Sequence, residues 1–382
     1  MKSKLVEIKE RNTTRVEKRY DIITNGSDNA YPTRMERLIN SSTTAKSCAK
    51  NMAKFIAGNG FIVQFNDEIF IGKNQDGKLT PNDLLKDISH SISRFNAFAI
   101  HFNYNLNLKI TSIAPIAYKY CRYGLADSDG YSGKIVYYDN WDYSRSKIFR
   151  KEDFRKFDVF NPDPSVVQAQ IRACGGIGKY AGQILIVKFD NSIYPLSPID
   201  PAQDDADTEY QLSLFKNRTV RKGFVGKKIV TTNEFEDDGD REDFQNSLKS
   251  IQGFDSDGDI IHLESEFSGD DKKKQVEIAQ LDSDIKTDLF TNWENPVSNN
   301  IRRCFNSIPP VLVDFVEGKI GNTSGESFKM AQAYYNSQTA EERAVITRTF
   351  KKIFSNYYLN INPSNDWTIS QLNLIADGTT AN

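Results

Sequence analysis

Between residues 219 and 281 the sequence reads strand, helix, strand, strand, and on both sides of that stretch it reads helix. The strands are Ile229-Val-Thr-Thr, Ile260-Ile-His-Leu and Val276 to Leu281, and Phe244, Leu248 and Ile251 space a short amphipathic helix among them. Upstream, Asp200 as a cap, Pro201 at the first helical position and Gln203 in a capping-box position predict a helix to about Lys216. Downstream, a helix starts near Asp282 or Asp284 with Ile285, Leu289 and Trp293 on one face. Pro296 is expected to break or kink it, with a continuation from Ile301 to Phe305. A small folded module carried between two helices restricts the architecture more than any single motif does.

The rest of the chain reads as an α+β domain. With 382 residues, 38% of them hydrophobic, it can bury a sizeable core in two or more domains. A polar, charged arm runs through about Asn29. One helix is predicted from Thr33 to Ile56, stopped by Gly58-Asn59-Gly60, with Phe61 to Phe65 as a strand beyond. A second fits Pro81 to Phe95 behind a Thr80 cap. From Phe98 to Tyr138 the pattern is β, with Phe102, Tyr104, Leu106 and Leu108 alternating, and Ile184 to Phe189 is a further strand. Asn- and Asp-rich breaks suit this better than a parallel βαβ array. After a loop from Asn306 to Thr323, helices are predicted over Ser324 to Tyr335 and from Thr339, where Thr339 and Glu342 make a capping-box pattern. Ile346, Phe350, Ile353, Phe354 and Tyr357 stack on one face of the second, and a weakly ordered tail is expected from Pro363.

Several chemistries are disfavoured. A net charge of −2 argues against a generally basic nucleic-acid binder. Cys48, Cys121, Cys174 and Cys304 are scattered without a CxxC, which suits reduced, buried thiols, and His90, His101 and His262 lack metal-ligand spacing. No apolar run is long enough for a bilayer, and the charged N-terminus does not read as a secretory signal, so synthesis in a cytoplasm is expected. Gly175-Gly-Ile-Gly-Lys179 has Ala173 where a phosphate loop needs glycine and Tyr180 where it needs Ser or Thr. Asp255-Ser-Asp257-Gly-Asp259 with Glu266 misplaces the turn glycine of a calcium loop. The acids Glu234, Glu236, Asp237, Asp238 and Asp240 are contiguous, whereas metal-binding carboxylates usually converge from separate elements. No catalytic residue, metal site or cofactor is expected.

Three stretches together resemble phage portal proteins, particularly the compact type of phages and prophages of Bacteroidetes-like bacteria. They are Tyr31-Pro-Thr-Arg-Met-Glu-Arg-Leu-Ile-Asn-Ser-Ser42 with the helix into Gly58-Asn-Gly-Phe61; Tyr194-Pro-Leu-Ser-Pro198 with a helix ending in Phe215-Lys-Asn217 and the turn Gly223-Phe-Val-Gly226; and Ile301-Arg-Arg-Cys-Phe-Asn-Ser-Ile-Pro-Pro310 followed by Gly321-Asn-Thr-Ser-Gly325. The resemblance covers residues 31–360. Pro296 departs from it, because a portal stem helix is usually continuous, and little chain after Tyr358 is left for a crown.

What the resemblance implies is specific. Residues 1–199 would be the arm and wing, 200–218 the first stem helix, 219–281 an α/β clip, 282–306 the second stem helix, 307–323 a tunnel loop, 324–360 wing and short crown helices, and 361–382 a tail. Copies would form a closed ring, commonly dodecameric, at one capsid vertex, touching major capsid protein, the terminase large subunit and a head-tail adaptor. Double-stranded DNA would pass through it during packaging and ejection, and no membrane is involved. The protein would reside in the virion, and in host cytoplasm before assembly. Lys319 and Asn322 would face DNA. Arg221, Lys222, Lys227 and Lys228 could pair between subunits with acids such as Asp237 and Asp238. Another head or connector protein is the alternative, and a metal-dependent nuclease using the acidic run is a further one.

Overall fold

The computed structural model describes residues 14–65, 69–74, 77–141, 150–221, 228–232, 235, 237–251, 260–264, 276–280, 287–313 and 324–373. It separates into two compact units, Met1–Ala206 with Asn300–Asn382, and Asp207–Asn299.

The first unit opens with an antiparallel pair, β1 (Val16–Glu17) and β2 (Ile22–Ile23). Where the apolar spacing predicts one helix there are two, α1 (Tyr31–Ser41) and α2 (Thr43–Ala57). Ser42 between them is extended, and its buried hydroxyl accepts a hydrogen bond from the Ala45 amide at 3.0 Å. Short hydroxyl side chains compete with the helix for backbone bonds, so the run Ser41-Ser42-Thr43-Thr44 restarts the helix on a cap. α2 stops at Gly58, where φ is +57° and a Cβ would lie 1.9 Å from the Ser370 carbonyl oxygen. Phe61 makes one antiparallel bridge with Ile369 instead of opening a strand. A hairpin of β3 (Gly72–Asn74) and β4 (Gly77–Leu79) leads to α3 (Pro81–Phe95), whose Thr80–Asp83 capping box is fully formed.

The main sheet is built from β5 (Ala97–Tyr104), β6 (Ile110–Ile116), β7 (Cys121–Tyr123), β8 (Lys134–Tyr137) and β9 (Arg155–Val159), then, after α4 (Pro164–Ala173), β10 (Gln183–Lys188). Its order is β6-β5-β10-β9-β8-β7, and β10 with β9 is the parallel pair in an otherwise antiparallel sheet. The predicted alternation stops at Tyr104. Leu106 is 82% exposed and Leu108 has φ +59°, because Asn105 turns the hairpin by accepting from the Asn107 and Lys109 amides. The sequence reading passed over α4, although Asp163-Pro164 carries the signal recognised at Thr80-Pro81; Asp163 accepts from the Ser165 amide at 2.8 Å. Ile177–Lys179 after it is a 3-10 turn.

The second unit begins within α5 (Gln203–Arg221), which runs past the predicted end at Lys216. β11 (Lys228–Thr232), α6 (Asp238–Ile251), β12 (Ile260–Glu264) and β13 (Val276–Gln280) follow in the predicted order. The sheet order is β12-β11-β13, with β12 parallel to β11 across the α6 crossover and β13 antiparallel. α6 starts inside the acidic run, where acids suit a helix N-terminus. α7 (Thr287–Cys304) continues through Pro296, so of the expected break or kink the break does not occur; a missing N–H removes one hydrogen bond from an 18-residue helix.

Back in the first unit are α8 (Ser324–Gln338) and α9 (Ala340–Phe354). The predicted Thr339–Glu342 capping box does not form. The Thr339 hydroxyl donates to the Tyr335 carbonyl at 3.1 Å, and Glu342 accepts from Asn306 instead. The expected loose tail is corrected as far as residue 373, and residues 374–382 lie outside the described residues. Trp367 is fully buried, stacked on Phe354 at 4.3 Å and edge-on to Phe61 at 5.2 Å, and burying so large a ring fastens the segment around it.

Candidate functional site

Two of the three stretches singled out in the sequence meet at the foot of α5. The Tyr31 hydroxyl donates to Asp200 Oδ1 at 2.8 Å and accepts from the Ser197 amide at 3.0 Å. Gln203 Nε2 donates to the same carboxylate oxygen at 2.8 Å. Asp200 is therefore not the cap that the sequence suggests: it lies inside a 3-10 turn, Asp200–Ala202, and Tyr31 draws its carboxylate into the interior. Burial pushes the Tyr31 phenol well above its ordinary pKa, so it stays a donor at all ordinary pH. The Ser197 hydroxyl reaches the Arg94 carbonyl at 2.5 Å, and Asn96 Nδ2 reaches the Leu196 carbonyl at 2.9 Å, fixing the Pro-rich turn to the end of α3.

The third stretch joins at the end of α7. Asn300 Nδ2 donates to Asp205 Oδ1 at 3.3 Å, and Ile301 and Phe305 are fully buried. Burial, with the Asp205 carboxylate nearby, raises the Cys304 thiol above its ordinary pKa. The helix closes on two consecutive left-handed residues, Asn306 (φ +54°) and Ser307 (φ +53°). Tyr335 donates to the Phe305 carbonyl at 2.9 Å, and Asn306 Nδ2 donates to the Gln338 carbonyl at 3.1 Å and to Glu342 at 2.9 Å. Arg343, itself buried, bonds the Phe55 carbonyl at 2.9 Å, Thr339 Oγ1 at 2.7 Å and the Asn336 carbonyl. The chain thus enters residues 307–323 from a point tied to α2, α8 and α9. Lys319 and Asn322 lie outside the described residues.

In the second unit, Arg241 organises the acids. It forks onto Glu264 at 2.7 and 3.0 Å and reaches Asp238 at 2.5 Å, so α6 is tied to β12. The Arg241 hydrogen bonds hold the Glu264 carboxyl below its ordinary pKa. Asp237 accepts from the Gly239 amide at 3.3 Å. Phe235, Phe244 and His262 form an aromatic cluster with ring centres 5.3 to 6.0 Å apart. Arg221 ends α5 and Lys228 begins β11, while Lys222, Lys227 and the calcium-like loop at Asp255–Asp259 lie outside the described residues. Among the described residues no group of three or more His, Cys, Asp or Glu is placed to hold a metal ion, and no helix is long and apolar enough to cross a membrane.

No family model matches the chain, and no curated protein does. Solved structures do. A chain of the neck of the empty gene transfer agent (GTA) particle, computed with C6 symmetry, is 12% identical and superposes with a TM-score of 0.54 over 89% of this chain and 84% of its own. A chain of the neck of the native particle, computed with C12 symmetry, is 11% identical with a TM-score of 0.54 over 85% and 81%. This chain has the fold of a GTA neck component. The virion of the native particle supplies a further match at 11% identity and TM-score 0.53, over 85% and 79%. An HK97 family phage portal protein from Corynebacterium diphtheriae is more distant, at 8% identity and TM-score 0.38 over 77% and 82%. The GTA neck chains thus share the fold of this chain, which is mixed helix and sheet as the sequence predicts.

Proposed function

We propose that this chain is a portal subunit: copies form a ring at one capsid vertex, and double-stranded DNA enters and leaves through the ring. The observation that carries the reading is a fold shared with a particle-neck chain over 85–89% of the sequence, in structures computed with C12 and C6 symmetry. A closed ring built from one repeated head-to-tail contact leaves an axial channel and no open edge. In this reading residues 200–218 and 282–306 are the stem, 219–281 the clip that meets adaptor and terminase, 307–323 the tunnel loop, and the first unit otherwise the wing. The separation of residues 207–299 as a compact unit suits that assignment. The role is structural, not catalytic. Lys319 and Asn322 face DNA, with Lys319 making a transient phosphate contact. Arg221, Lys222, Lys227 and Lys228 pair with acids of a neighbouring subunit.

Electron microscopy with mass photometry tests the reading. Rings of about twelve 43.4 kDa chains around a channel wide enough for a duplex of about 20 Å support it. A chain that stays monomeric and cleaves DNA with magnesium overturns it.

A further inference from the structure

Two apolar patches lie exposed on the first unit. The first is a stripe on α8: Met330 is 68% exposed and Tyr334 45%, with Ala333 between them on the same helical face. The opposite face of α8 is committed to the core through Gln332, Tyr335 and Asn336. Glu326, one turn before Met330, and Glu341 at the start of α9 flank the stripe, both exposed, and Lys329, the one base on α8, is already engaged within the chain. The second patch gathers Leu106 at the β5–β6 hairpin tip, Tyr358 (47% exposed) and Leu359 (48%). Asn356 Nδ2 donates to the Leu108 carbonyl at 3.3 Å and the Tyr358 amide to the Ile110 carbonyl at 2.9 Å, which holds the hairpin beside residues 356–358. Lys109, Lys351 and Lys352 are exposed around it, and no acid occurs from Ile353 to Asn365. Asp366, just beyond, accepts from Thr368 and lies within the field of Lys351, so Lys109 and Lys352 are the bases of this patch that it does not offset.

The two patches sit on different elements, one on α8 before α9 and the other on the β5–β6 hairpin and the segment after α9. Acid at the start of a helix and base at its end also suit the helix dipole. The dipole gives no reason for large apolar side chains to stand in solvent beside those charges. Two different patches of opposite flanking charge are what a head-to-tail contact between identical copies requires.

We propose that the α8 stripe of one copy docks on the Leu106–Tyr358–Leu359 patch of the next. The proposal rests on the ring reading above. Its test uses the full chain with Tyr334→Glu or Leu359→Glu, both at exposed positions, with the thermal midpoint checking the fold. The unaltered chain is expected to form rings and each variant to stay monomeric. Mixing the two variants leaves one intact patch on each, so sedimentation should show a heterodimer that grows no further. Rings from either variant, or no heterodimer on mixing, overturn the docking and leave the ring reading standing. An unaltered chain that stays monomeric at every concentration overturns both.

Discussion

Replacing Tyr31 by Phe isolates the contact that roots α5. The ring stays and only the hydroxyl goes, so packing is conserved. Two buried partners lose it: the Asp200 carboxylate, 4% exposed, keeps Gln203, and the Ser197 amide loses its acceptor. A hydrogen bond to a charged group contributes about 1.5–3 kcal/mol, and an unsatisfied buried amide costs about 1–3 kcal/mol. A loss of roughly 2–4 kcal/mol in the stability of the first unit is expected, less than the plain sum because the local turn relaxes. Of the three tryptophans, Trp141 and Trp367 are buried in that unit, so in a Trp293→Phe background fluorescence follows it alone. Urea unfolding of Tyr31→Phe, Asp200→Asn and the double variant closes a cycle, with a coupling of roughly 1–3 kcal/mol expected for groups in direct contact. A Tyr31→Phe loss below about 0.5 kcal/mol, the range of an ordinary surface change, refutes the reasoning.

Other outcomes follow from the same structure. Gly58→Ala places a Cβ 1.9 Å from the Ser370 oxygen at a positive φ, so a clear fall in thermal midpoint is expected, whereas Gly130→Ala, with open space around it, should fall by less. Trp367→Ala should cost about 3–5 kcal/mol in urea unfolding, the range for removing a large buried aromatic; a negligible loss contradicts the packing described. The Glu264 carboxyl is held below its ordinary value near 4.5, so its contribution is complete above that pH and lost as pH falls through the lower folded value. The second unit should therefore lose stability in acid, and Arg241→Ala should flatten that dependence in a pH series of unfolding midpoints. Reversing the charge of Arg221 and Lys222 together should impair ring assembly by mass photometry, and unchanged rings remove the idea that they pair between subunits.

Local signals carried much of the architecture. Thr80-Pro81, the Gly58-Asn-Gly60 stop and the three strands of the inserted unit were legible because each depends on a few adjacent residues. Ser42 shows the limit: apolar spacing continues across it, and only its buried hydroxyl on Ala45 reveals the break. Glu342 and Asp200 each carried a plausible capping pattern, yet long-range donors, Asn306 and Tyr31, took their oxygens. The order around Trp367 was not legible because a short polar tail gives no periodicity, while its partners Phe61 and Phe350 come from elsewhere in the chain. The meeting of Tyr31 with Ser197 and Asp200 spans about 170 residues, a pairing that no spacing rule reaches, although both stretches had been singled out.

The bridge between Phe61 and Ile369 bears on how the protein is made. The aromatic centre of the first unit needs Phe61, Phe350 and Trp367 together, so it stays incomplete until residue 369 has left the ribosome. The inserted unit is one uninterrupted stretch and has all its strands long before then. Synthesis therefore delivers the whole of the middle unit while the two halves of its carrier wait for one another, and a chain cut short before Trp367 lacks the centre of the very unit in which both proposed docking patches sit.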